Sequence, residues 1–153
     1  MAKANDTLLV LLVDDDHSDS ELIRRALECS TRDIELVSVG SGPEALDYLR
    51  REGHWTDVTT LRIPDLLILD LEMPGMRGRE VLARIRADPL IPYIPIVVLT
   101  ASDDPEDIEG CYESGANSYL VKPFGVKPFS EAMELIERFW LGSEHLRRPV
   151  TEA

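Results

Sequence analysis

The chain has 153 residues, a length that predicts one domain, and its 44% hydrophobic and 29% charged residues are ordinary globular usage, which excludes a fibrous or disordered chain. A formal net charge of −13 excludes the counterion-releasing basic surface that nucleic acid requires. No apolar stretch approaches the roughly 20 residues of a membrane span, Met1 to Thr7 lack a signal-peptide layout, and Cys29 and Cys111 stand far apart without metal spacing, so the expectation is a cytoplasmic protein with reduced thiols.

Apolar runs alternate with helical periods along the chain, the pattern of a parallel sheet wrapped by helices. Leu8–Val13 predicts the first strand, and Ser18-x-x-Glu21 opens the first helix with a capping box, running to about Ser30. Ile34–Val39 is the second strand; Ser41-x-x-Glu44, with Pro43 in the first turn, opens a helix to about Glu52. A long connection, Gly53 to Pro64, carries Trp55 and precedes the third strand, Asp65–Asp70. The third helix spans Arg79 to Ala87 and stops before Asp88–Pro89, because the residue preceding proline avoids the helical region. Ile94–Thr100 follows as the fourth strand, then a helix from about Pro105 to Ser114 that Gly115 caps. Ser118–Val121 is the fifth strand. The last helix begins near Lys127 to Ser130 and places Phe129, Ala132, Met133, Ile136, Phe139 and Trp140 on one stripe. Leu141 to Ala153 form a tail in which Gly142 ends the helix and Pro149 prevents its resumption, with Leu146 and Val150 lacking a core to join. No repeat or composition shift divides the chain, so a single domain over 1–153 is expected, its core about 8–141 and its tail 142–153.

Asp70 closes the apolar run Leu66–Leu67–Ile68–Leu69, at the rim where parallel sheets bind ligands. Asp14, Asp15 and Asp16 follow the first strand, Thr100 ends the fourth, and Lys122 follows the fifth. In a right-handed parallel sheet these strand ends meet at one edge. Clustered carboxylates repel unless a cation is present, and hard oxygen ligands with room for water suit Mg²⁺ better than zinc. Helix capping also draws acids to this position, but one Asp suffices for capping. Lys122 adds a fixed positive charge and Thr100 a hydroxyl, a pair suited to a tetrahedral dianion, and an aspartate beside them can act as nucleophile toward phosphorus. His17, His54 and His145 have no partner at triad or metal spacing and read as solvated.

With Asp14–Asp15, the run from Asp70 through Glu72-Met73-Pro74-Gly75 to Gly78, Thr100–Ala101, Gly115–Ala116, Tyr119 and Lys122–Pro123–Phe124 in this order, the chain resembles the receiver domain of two-component response regulators over about Leu8 to Trp140. The stretches 115–123 and Phe139–Trp140–Leu141, with the long loop before the third strand, are similar more narrowly to single-domain receivers that partner cyanobacterial phytochrome kinases. The resemblance implies a flavodoxin-like (βα)5 fold, a doubly wound five-stranded parallel sheet of strand order 2-1-3-4-5. It implies a stand-alone phosphoacceptor rather than an enzyme: Asp70 would take a phosphoryl group from a sensor histidine kinase. Asp15, Asp70 and the Glu72 main-chain carbonyl would hold Mg²⁺, with Asp14 acting mainly through bound water. Thr100 and Lys122 would grip phosphoryl oxygens, Tyr119 would change rotamer as Thr100 moves, and Lys122–Pro123 would be a cis bond. The acidic Glu72 departs toward a residue that would repel the phosphoryl group or orient attacking water.

About a dozen residues follow Leu141, too few for a helix-turn-helix or winged-helix output domain, so signalling by protein contact is expected, with no nucleic acid and no membrane. The fourth helix, fifth strand and last helix form a candidate homodimer surface to which Leu135, Leu141 and Leu146 add apolar area, although scattered exposed leucines are also normal. The first helix offers a kinase an apolar strip of Leu22, Ile23, Ala26 and Leu27 rimmed by Ser18 and Arg25, most of it expected to pack on the sheet. Two rival readings are a receiver-like adaptor that binds without phosphorylation and an aspartyl-phosphate phosphatase, which Asp70-Leu71-Glu72 imitates. The phosphatase type places its nucleophile after the first core strand and needs a cap, whereas Asp70 follows the third strand.

Overall fold

Leu8–Val13, Ile34–Val39, Leu66–Leu69, Ile96–Thr100 and Ser118–Val121 form strands β1 to β5 of the computed structural model, which describes residues 7–56 and 62–141. The five strands pair in parallel in the order β2-β1-β3-β4-β5, the flavodoxin-like arrangement expected. Helices α1 (His17–Glu28), α2 (Gly42–Arg50), α3 (Gly78–Ala87), α4 (Pro105–Glu113) and α5 (Val126–Ile136) connect and cover them. The tail residues Gly142, His145, Leu146, Pro149 and Val150, residues 57–61 of the long connection, and the His54 side chain lie outside the described residues.

Because side chains alternate across a strand, the central strands feed two separate cores. Val10, Leu12, Leu66, Ile68, Val97 and Leu99 meet Ile23 and Leu27 of α1 and Phe129, Met133 and Ile136 of α5. On the opposite face Leu11, Val13, Leu67, Leu69, Ile96 and Val98 pack against α2, α3 and α4 through Ala45, Val81, Leu82, Ile85 and Cys111. Every residue of β1, β3 and β4 is buried, as apolar runs covered on both faces must be, while the edge strands β2 and β5 are only partly so. Complete burial of one such leucine or isoleucine contributes about 2 kcal/mol. Trp55, in a 3-10 turn Gly53–Trp55, packs edge-on against Tyr48 of α2 with ring centroids 4.8 Å apart. Cys29 and Cys111 are both free thiols, the first exposed and the second buried in α4, where burial pushes its thiol up to about 11.

Several expected boundaries move for local reasons. Asp16, not Ser18, caps α1: its carboxylate accepts from Ser18 N and Asp19 N at 2.8 and 3.1 Å, so the helix starts two residues earlier than a Ser18 cap would allow. Ser41 does cap α2, accepting from Glu44 N at 3.2 Å. β4 starts at Ile96 because Pro95 has no N–H to donate. Ser114 is the cap residue of α4 and Gly115 follows it with φ +111°. All described peptide bonds are trans, so the expected cis Lys122–Pro123 bond is corrected; trans is the lower-energy form of an X–Pro bond by about 0.5–1 kcal/mol.

The end of the last helix is the largest departure. Glu137–Leu141 form a π-helical turn, and the extra residue per turn breaks the expected stripe. Phe139 is 62% exposed, while Glu137 and Leu141 turn inward. Leu141 therefore belongs to the core and adds nothing to the surface assigned to it. The Glu137 carboxylate accepts from Ser30 Oγ and pairs with Arg32 Nη1 at 3.1 Å, which satisfies a buried charge that would otherwise be costly.

At the N-terminal edge of the sheet one side chain ties three elements together. Arg86 of α3 donates to Gly115 O (3.1 Å), Ile94 O (2.8 Å) and Asn117 Oδ1 (2.9 Å), with its guanidinium 4.6 Å over the Tyr93 ring. Asn117 Oδ1 also accepts from Ile96 N at 2.7 Å, joining the start of β4 to the approach of β5.

Candidate functional site

Strand register decides which side chains meet. Val13 lies opposite Val39 and Leu69, Leu69 opposite Val98, and Thr100 opposite Val121, so the residues that follow β1, β3 and β5 emerge beside Thr100 at one edge. Asp14, Asp15 and Asp70 each offer a carboxylate oxygen there, all within 4.8 Å of one another. Asp14 and Asp70 are buried and Asp15 is exposed, so the cluster is open to solvent on one side. Asp16, the third of the acidic run, is taken by the α1 cap.

Local turns hold the two buried carboxylates. Asp14 Oδ1 accepts from Asp16 N at 2.9 Å and Asp70 Oδ1 from Glu72 N at 3.1 Å, the i to i+2 pattern by which an Asp fixes its own loop. The remaining oxygens face Lys122, whose Nζ donates to Asp14 Oδ2 at 3.0 Å, Asp70 Oδ2 at 3.1 Å and Asp19 Oδ2 at 2.6 Å. Asp19, in the first turn of α1, was not among the residues expected from sequence. The only sequence signal for it is an acid one turn from the helix start, which helix-dipole effects explain equally well.

Charge and burial compete here. Burial pushes the Asp14 carboxyl up to about 6, and the Asp16 N–H and the Lys122 charge only partly offset it. Burial acts to lower Lys122, but its hydrogen bond to Asp19 and the charges of Asp14 and Asp70 outweigh this and hold it above the usual lysine range. A carboxyl whose folded pKa is raised binds its proton more tightly in the native state, so its contribution to stability is lost as pH rises through the folded value. In metal-free protein, the stability of the wild type relative to Asp14→Asn is therefore expected to fall as pH rises from about 4 to about 6 and to level above that. Urea titrations across this range that show a constant difference would contradict it.

Thr100 is fully buried, and its hydroxyl finds no hydrogen-bond partner among the described residues. Its strand position places Thr100 at the same sheet edge as the carboxylates, and a buried hydroxyl of this kind can be satisfied by a further oxygen ligand. Tyr119 is half-buried with its hydroxyl turned inward, donating to Ser102 O at 2.9 Å in the connection between β4 and α4. Ser102 Oγ in turn donates to Asp107 of α4 at 2.6 Å. Glu72 lies next to the cluster in sequence, but its side chain is exposed and, with Leu71, Met73, Pro74, Arg79 and Asp107, lines a separate cavity of about 450 Å³ between the β3–α3 loop and α4. His17 is exposed, apart from the site. Ile23 and Leu27 of the apolar strip on α1 are buried in the core, leaving Leu22 and Ala26 half-buried toward solvent.

The donor set fits a hard divalent cation: oxygen ligands only, one open side for water, and excess negative charge. No helix among the described residues is long and apolar enough to cross a membrane.

Known proteins of the same architecture carry the comparison further. Response regulator Rcp1 of Synechocystis sp. is 37% identical over 139 residues, covering 91% of this chain and 92% of the relative. The crystal structure of its Mn²⁺-bound form superposes with a TM-score of 0.82 at 38% identity, covering 89% of this chain and 96% of that one. The phosphorylated cyanobacterial phytochrome response regulator RcpA superposes with a TM-score of 0.81 at 40% identity, over 88% and 94% of the two chains. The response regulator receiver domain model matches residues 10–134, which takes in β1 from Val10 onward, the other four strands and the whole acidic edge, and this chain belongs to that family.

Proposed function

We propose that Asp70 is the phosphoacceptor of this receiver and takes its phosphoryl group from a sensor histidine kinase of the phytochrome type. The observation that carries the reading is the convergence of Asp14, Asp15 and Asp70 with Lys122 and an unpartnered Thr100 hydroxyl at one sheet edge. The likeness to Rcp1 and to phosphorylated RcpA supports the kinase class. Asp70 attacks phosphorus; a P–O bond forms as the P–N bond of the donor phosphohistidine breaks, its electron pair staying on the imidazole. Lys122 and Thr100 then donate to phosphoryl oxygens, a contact absent before transfer, which favours whichever state draws them together. Asp15, Asp70 and the Glu72 carbonyl, with Asp14 behind water, are the proposed Mg²⁺ ligands, and a bound Mg²⁺ supplies charge neutralisation between the incoming phosphoryl oxygens and the carboxylates. The Mn²⁺-bound form of Rcp1 supports a divalent cation here. Free Cys29 and Cys111 suit a reducing compartment, and we place the reaction in the cytoplasm.

Intact-mass measurement after incubation with phosphoramidate tests this. One phosphoryl group added in the presence of Mg²⁺, and none on Asp70→Asn or in EDTA, is the expected result. No adduct on the wild type, with no beryllofluoride binding either, would leave a binding-only adaptor, and sustained turnover of a phosphate ester would revive the phosphatase reading.

Output is proposed through the face of α4, β5 and α5, where Tyr112, Val121 and Leu135 are exposed, with Phe139 of the following π turn beside them in sequence. Phosphorylated protein is expected to sediment as a dimer at high micromolar concentration; a monomer with and without phosphoryl group would remove this surface from the account.

A further inference from the structure

Lys122 has three N–H donors and uses all of them, each on a different carboxylate. Two of these carboxylates, Asp14 and Asp70, belong to the cation cluster; the third, Asp19, does not. From this inequality we infer that Asp19 is a positioning residue that holds the Lys122 ammonium at the phosphoryl site. The inference rests on the receiver reading of Asp70 and extends it to a residue outside the cation ligands.

Asp14 and Asp70 cannot serve as permanent anchors. A divalent cation held by Asp70 directly and by Asp14 through water would share their charge and weaken their pull on Lys122. Asp19 keeps its full charge for the ammonium and already makes the shortest of the three contacts, 2.6 Å against 3.0 and 3.1 Å. It is itself rigidly placed: its backbone N–H donates to the capping carboxylate of Asp16 at 3.1 Å, and the first turn of α1 favours an anion. A lysine is a point charge on a flexible four-carbon stem, and ordering it for each phosphoryl transfer is entropically costly. Asp19 meets that cost in advance, since with Nζ fixed on Asp19 the Asp70 oxygen is 3.1 Å away.

A second consequence is a direct mechanical link from α1 to the phosphoryl site. Asp19 lies one turn before Leu22 and two before Ala26, the half-buried residues of the α1 face, so a partner that shifts the start of α1 shifts the lysine with it.

The test is the rate of Asp70 phosphorylation by phosphoramidate at saturating Mg²⁺, read by intact mass. Asp19→Asn is expected to slow it by about fivefold or more, and Asp19→Glu, which restores the charge, to recover it to within about twofold. In a Lys122→Met background the Asp19→Asn change is expected to have less than a twofold effect, because its target is gone. A rate unchanged in Asp19→Asn, or slowed equally with and without Lys122, overturns the inference while leaving the receiver reading intact. Failure of the wild type to gain phosphate overturns both. If the Lys122→Met protein does not fold, the Asn and Glu variants decide: a Glu variant as slow as the Asn variant overturns the positioning role.

Discussion

Replacing Lys122 with methionine is expected to destabilise the metal-free protein by about 3–5 kcal/mol at pH 8. Methionine keeps the length and apolar stem but leaves Asp14, Asp19 and Asp70 converging on no cation, with the Asp14 and Asp70 side chains only 1% and 7% exposed. Removing one member of a buried ion cluster leaves the others uncompensated, which is far costlier than losing a surface pair. The penalty should shrink as pH falls from 8 toward about 6, because Lys122 holds the Asp14 carboxyl down and without it Asp14 takes up its proton above that value, and it should be largely reversed by millimolar Mg²⁺. Urea denaturation in EDTA and in Mg²⁺ checks both limbs. An unchanged midpoint in EDTA would mean that the three carboxylates are not electrostatically frustrated in the native state.

Gly78→Ala is expected to injure fold and phosphorylation together. A Cβ at Gly78 would lie 2.6 Å from the Asp70 carbonyl oxygen and 2.6 Å from Leu71 Cα, so the group in the way is backbone and cannot rotate aside. Either α3 lifts from the sheet or the chain carrying Asp70 moves. Overpacking of this kind costs about 1–3 kcal/mol, and a displaced nucleophile slows transfer further, by about tenfold or more. The control is Gly40→Ala: nothing lies within 4 Å of a Cβ there, and a change under about 0.5 kcal/mol is expected. Equal stability and equal phosphorylation rate in the Gly78 and Gly40 variants would refute the argument.

The features that could be read from sequence were those with a short-range signature. The buried strands announce themselves as apolar runs, and Asp14 and Asp70 are legible because each follows such a run directly, with Asp15 beside Asp14. Ser18 and Asp16 both satisfy a capping pattern two residues apart, and only the carboxylate's contacts with Ser18 N and Asp19 N decide between them. Asp19 was hidden because its partner is 103 residues away. The stripe assigned to the last helix assumed an unbroken 3.6-residue period; after the π turn at Glu137 Trp140 still packs on the core but Phe139 turns outward. What stabilises that turn, Ser30 and Arg32 on Glu137, spans more than a hundred positions and has no local trace.

The two ends of the sheet differ in slack. At the N-terminal end Arg86 is bonded to three acceptors at once, and α3, the approach to β4 and the entry to β5 share them. At the other end the Thr100 hydroxyl has no partner among the described residues and Lys122 divides itself among three carboxylates. A rearrangement of β4 and α4 that keeps the three Arg86 bonds leaves this end in place and has its freedom toward Ser102. The receiver is in this sense a cantilever, clamped at its base and loaded at its tip.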